Sequence, residues 1–157
     1  MDDRIAMLRH TVATVAYRGG KALRGAPPEF ADFQATEGAR TPVQIVAHIG
    51  DLFDWALSLA EGAQRWNNSN PLPWEQEVAR FFAALENFDR RLAASDPPAA
   101  TAEKLFQGPV ADALTHIGQI SILRRMAGCP VRPENYFVAG VTAGRVGADQ
   151  PPPVREF

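Results

Sequence analysis

The chain has 157 residues, ordinary for one domain and long enough to bury a core without staples. Sixteen basic and eighteen acidic residues leave a net charge of -2, with no basic run longer than Arg90-Arg91 or Arg124-Arg125, so neither nucleic acid nor a membrane is an expected partner. A single cysteine, Cys129, closes no internal disulfide, no stretch approaches ~18 consecutive apolar residues, and the N-terminus lacks the apolar run of a signal peptide, so a soluble, cytoplasmic protein is expected.

From Asp3 to Leu23 the apolar residues Ile5, Leu8, Val12, Val15 and Leu23 recur at helical spacing, and Asp2 or Asp3 is placed to cap the N-terminus. The Gly19-Gly20 pair inside this first predicted helix costs about 1 kcal/mol per glycine relative to alanine. Either the helix thins there or another backbone packs close. Gly25, Pro27 and Pro28 end it, and residues 26–40 form a connection that Phe30 and Phe33 pin to the core.

Thr41-Pro42 places a hydroxyl at the N-cap and a proline at the first helical position, so a second helix is expected from Pro42 to about Glu61, stopping at Gly62. Ile45, His48, Leu52, Trp55 and Leu59 share one of its faces, which points His48 where the core residues point. After a polar loop at 67–73, a third helix is expected from Trp74 to about Ala94, its apolar stripe built from Val78, Phe81, Phe82, Leu85, Phe88 and Leu92. A fourth helix is expected to start at Gly108-Pro109 and to end at Gly128 and Pro130. The segment 129–157, rich in Pro and Gly, reads as an extended tail laid on the helices. Four helices of similar length and no alternating strands fit a single all-α domain, 1–157, built as an antiparallel four-helix bundle.

Asp112 and His116, four residues apart, stand on one face of the last helix, where a carboxylate and an imidazole can reach one ion. With only His10, His48 and His116 in the chain, His48 is the best candidate for a third ligand. Two imidazoles and a carboxylate suit Zn²⁺, Ni²⁺, Fe²⁺ or Mn²⁺ and leave coordination positions open. Asp51, three residues past His48, is a candidate fourth ligand or an acceptor that fixes an imidazole tautomer, and Gln119 is within reach of an imidazole or a substrate. The competing reading makes His48, His116 and the aspartates a hydrogen-bonded core cluster. His10 has no spaced partner, and Cys129 reads as structural.

The stretch His116-Ile117-Gly118-Gln119, with His48 on the second helix and a ligand pair spaced by four on a later one, resembles the DinB/YfiT-like superfamily of metal-dependent four-helix bundles. The chain departs from that pattern at Asp112, where the family has histidine, and at Ile117, where arginine is common. The resemblance covers about the first 130 residues. It implies a divalent-metal-dependent transferase or hydrolase with His48, Asp112 and His116 as ligands, a small-molecule substrate and a low-molecular-weight thiol as candidate partner, with Glu134, Asn135 and Tyr136 of the tail as a candidate lid. A homodimer is expected, because bundles with apolar helix faces commonly pair. The alternative is a non-catalytic helical bundle that binds a ligand or partner.

Overall fold

The computed structural model describes residues 2–157, and among these it is all-helical. The helices are α1 (Asp3–Leu23), α2 (Pro42–Ala60), α3 (Trp74–Leu92), α4 (Ala102–Leu105) and α5 (Ala111–Met126), with short 3₁₀ turns at Pro28–Asp32 and Tyr136–Val138. A π turn, Phe106–Val110, joins α4 to α5 without a break. Four long helical stretches therefore surround one apolar cluster, in which Phe30, Ile49, Phe53, Phe81, Leu85 and Phe88 are fully enclosed.

The caps lie where local chemistry puts them. Asp2 accepts from the Arg4 N–H at 2.8 Å, and Thr41 and Gln44 form a reciprocal capping box. The last helical stretch starts earlier than Gly108-Pro109 predicts. Thr101 caps it, its Oγ1 accepting from the Lys104 N–H at 3.4 Å, and Pro109 lies inside the π turn. A widened turn accommodates a residue that has no N–H to give, which is why proline does not end the helix here. The Gly19-Gly20 pair does not thin α1 either. A Cβ on Gly19 would lie 2.5 Å from Phe81 Cζ, so the missing side chain admits an aromatic ring, not a backbone, from α3.

Residue pairing gives the helix directions. Arg4 meets Glu103, a Cβ on Gly19 would touch Ile117, and Arg124 donates to the carbonyls of Ala22 and Arg24, so α1 and the α4–α5 stretch run the same way. Arg9 pairs with Asp89 while Gly19 meets Phe81, so α3 opposes α1. His48 lies by His116 and Trp55 by Gly108, so α2 opposes α5. The expected alternation of direction at every step is thus corrected: α2 and α3 are parallel, as are α1 and α5.

The physical reason is the connection between α2 and α3. Residues 61–73 reach ~45 Å when extended, against ~28 Å for the 19-residue α2, so the chain can return to the start of α2 before α3 begins. It does so along α2 itself. The Arg65 N–H donates to Ser58 Oγ at 3.0 Å, the Ser69 N–H donates to Asp51 at 2.9 Å, and Trp74 packs edge-on against Phe30 at 5.8 Å, on the side where α2 starts.

Beyond α5, residues 129–157 carry no α-helix. Glu134 and Glu156 form an isolated antiparallel bridge. Tyr17 Oη donates to buried Glu134, and Lys21 Nζ donates to Glu134 at 2.8 Å and to Glu156 at 2.9 Å, so one α1 cation holds two points of this segment.

Candidate metal centre

His48 projects from the second turn of α2, which the capping box and Pro42 start in a defined register. Asp112 and His116 project from the first turns of α5, stacked by their four-residue spacing. Because α2 and α5 pack against each other, the three side chains meet. One donor atom from each lies within 4.8 Å of the others. Asp112 Oδ1 is 3.4 Å from His116 Nε2, and Asp112 Oδ2 is 3.8 Å from His48 Nε2. The imidazoles are perpendicular, with centroids 4.7 Å apart. Both histidines are mostly enclosed, whereas the Asp112 side chain is 48% exposed, so the cluster opens to solvent at the carboxylate.

The protonation of the rings suits ligation. Gln119 Oε1 lies 2.8 Å from His116 Nδ1 and accepts from it in the tautomer that keeps the proton there, the one that leaves Nε2 free to face Asp112. Burial lowers the His48 pKa, His116 and Arg40 lower it further, and Asp112 and Asp51 oppose them only in part. His48 is accordingly neutral near pH 7, the form that binds a metal. Donors around one cation at about 2.0–2.2 Å stand roughly 3.0–3.5 Å from one another, so small side-chain rotations would bring these three onto a common ion.

Other expected site residues lie elsewhere. Asp51 is buried but turns away from His48. Its carboxylate accepts from Ser69 N–H and Oγ and from Arg80 Nη2, and it forms no hydrogen bond to either imidazole. Three residues along a helix amount to ~60° of rotation from His48, enough to aim Asp51 at α3 instead of α5. Glu134 and Tyr136 sit against Tyr17, Lys21 and Arg18 of α1, and Asn135 caps its own turn by accepting from the Phe137 N–H at 3.1 Å. Their side chains are engaged there. His10 is exposed and outside the cluster, and Cys129 is a half-buried free thiol.

The segment that flanks the cluster is the crossover at 61–73. Trp66 stands edge-on to His48 at 5.8 Å and to Trp55 at 5.7 Å, making an aromatic wall beside the histidines. On the other side of Trp55 an open cleft of ≈ 410 Å³ runs up to Asp112, lined also by Gln107, Gly108, Ala111 and Thr115. Neither Trp66 nor this cleft was readable from spacing, because both depend on a loop folding back and on a π turn. The Gly108-Pro109 pair was the one local sign of irregular backbone there.

No family model matches the chain, and neither curated proteins nor solved structures give a match. What stands on the geometry is an all-helical protein whose His48, Asp112 and His116 cluster could hold a metal ion. Among the described residues no helix is long and apolar enough to cross a membrane.

Proposed function

We propose that the chain is a four-helix bundle of up-down-down-up order, akin to the DinB/YfiT-like proteins, and that it is a metal-dependent enzyme of transferase or hydrolase type. The observation that carries the reading is the convergence of His48, Asp112 and His116 from two helices, with Gln119 beside His116 Nδ1. No hydrogen bond joins Asp112 to either imidazole; its carboxylate oxygens stand 3.4 Å from His116 Nε2 and 3.8 Å from His48 Nε2.

A divalent cation held there would lower the pKa of a bound thiol or water and so supply a nucleophile at neutral pH. The mixed nitrogen and oxygen set suits Zn²⁺, Ni²⁺, Fe²⁺ or Mn²⁺, and exchanging an imidazole for Asp112 makes the set harder and less positive than three histidines. His48 and His116 would hold the inner side of the centre, and Asp112 would hold its solvent side, where a small substrate or thiol arrives. Trp66 would keep water from the His48 face.

A second reading rests on the exposure of Asp112, since a carboxylate in contact with water has no need of a metal to be satisfied. On that reading the bundle binds a ligand or partner and does no chemistry. Elemental analysis separates the two when made on protein purified without chelator or histidine tag, beside His48→Ala and Asp112→Ala. Close to one equivalent of transition metal in the wild type, lost from both variants, is expected. A wild type that is empty and cannot be loaded with any of the four ions excludes the metal reading.

A further inference from the structure

The open side of the cluster is not bare solvent. The ≈ 410 Å³ cleft that ends at Asp112 has the half-buried Trp55 as one wall, with Gln107, Gly108, Ala111 and Thr115 from the π turn and the start of α5 as the other. Apart from Asp112 itself, no lining residue carries a charge. The six-membered ring of Trp55 lies beside Gly108: a Cβ there would be in ordinary contact, 3.8 Å from both Trp55 Cη2 and Cζ3. Trp55 is also fixed from behind by its edge contact with Trp66, so its orientation is set before any ligand arrives. The Thr115 hydroxyl is taken up by the Ala111 carbonyl at 3.2 Å, leaving its methyl group for the cleft.

We propose that this cleft is the subsite for an uncharged, planar apolar group, such as an aromatic ring, carried by a ligand whose head binds the metal beside Asp112. The inference rests on the metal reading and adds to it the substrate class. A charged group would be desolvated against Trp55 without a counter-ion, whereas a flat ring gains both apolar burial and an aromatic neighbour. The route from the cleft to the histidines passes over Asp112, so head and ring would be joined by a short link. Gln107 offers the one free amide for a polar edge of the ring.

The test uses two hydroxamates with the same chelating head, acetohydroxamate and benzohydroxamate, bound to Zn²⁺-loaded protein and followed by tryptophan fluorescence and by calorimetry. Metal content is measured throughout. Benzohydroxamate is expected to bind roughly tenfold more tightly, since burying a phenyl ring contributes at least that factor. In Thr115→Trp, a surface change that fills the cleft, this preference should vanish while Zn²⁺ content and acetohydroxamate affinity stay unchanged. Trp55→Leu should reduce the preference as well. Equal affinity of the two probes for the loaded wild type, or a preference that survives Thr115→Trp, would overturn the subsite and leave the metal centre standing. Failure to load Zn²⁺, Ni²⁺, Fe²⁺ or Mn²⁺ would instead remove the centre, and the subsite with it.

Discussion

At the scale of single residues, the state of the site turns on which nitrogen of each imidazole is free. For His116 the partner is Gln119, whose oxygen 2.8 Å from Nδ1 favours the tautomer that leaves Nε2 facing Asp112. Outer hydrogen bonds of this kind contribute about 10–100-fold to metal affinity. Gln119→Leu is therefore expected to weaken Zn²⁺ binding by roughly tenfold in a chelator competition, and Gln119→Glu, which keeps the acceptor, to weaken it far less. Equal losses in the two variants would mean that packing alone orients the ring. Gln119 was readable from its place three residues after His116, because partners within a helix are fixed by its period. Asp51 stands at the same interval from His48, yet the period only says that two residues are near, and the element on the far side decides which way each points.

The element that decides for Asp51 is the crossover with α3. Arg80 reaches from α3 to both Asp51, which is 5% exposed, and Asp54, whose side chain is 53% exposed. The two ion pairs share one guanidinium and differ in what their loss leaves behind. Asp51→Ala removes the buried carboxylate that accepts from Arg80 and from the Ser69 N–H and hydroxyl, and so frees the Ser69 turn, a change worth about 3 kcal/mol. Asp54→Ala removes a screened surface pair worth well under ~1 kcal/mol. Urea denaturation should show this contrast, and limited proteolysis should cut Asp51→Ala, but not Asp54→Ala, within residues 61–73. Similar costs for the two would mean that Asp51 does not anchor the crossover. The same element scale explains the early start of the last helix. Thr101 is an ordinary N-cap, and its signal was overridden in the sequence by Gly108-Pro109, which looks like a beginning and is in fact the middle of a π turn.

At the scale of the whole molecule, the C-terminal segment is joined to α1 through Lys21, held between Glu134 and Glu156. Burial alone would lower the Lys21 pKa, but its hydrogen bonds to the two glutamates outweigh this and raise it. The hydrogen bond from Lys21 holds the Glu156 pKa below the usual carboxylate value. The signs follow. A depressed carboxylate contributes stability above its unfolded pKa and loses it as pH falls through the folded value, while a raised lysine contributes below its unfolded pKa and loses it only as pH rises past the folded one. The junction is thus complete from about pH 5 to pH 10 and weakens in acid. Thermal melts from pH 7 down to pH 3 should show wild type losing more stability than Lys21→Met, with cleavage of the wild type within 129–157 appearing at the acid end. Parallel pH profiles for the two proteins would exclude Lys21 as the link.

Local chemistry alone determined where α1, α2 and α3 start, the apolar stripes that face inward on α1 and α3, and that Asp112 and His116 share a face. These depend on caps, period and turn residues within a few positions of one another, and the sequence displays all of them. On α2, by contrast, the enclosed residues include Val46, Ile49, Phe53 and Ala56, and the expected His48, Trp55 and Leu59 are half-buried. Tertiary structure decided the rest: that His48 meets the pair on α5, that α2 and α3 run parallel, that Asp51 serves the crossover, that Trp66 stands against His48, and that a cleft runs up to Asp112. Each of those is a contact across tens of residues. A loop long enough to close a hairpin is also long enough to return along its helix, and loop-closure entropy separates the two outcomes only weakly. The choice falls to the side chains that meet at the end of the path: Ser69 on Asp51, Trp66 on His48, and Trp74 on Phe30.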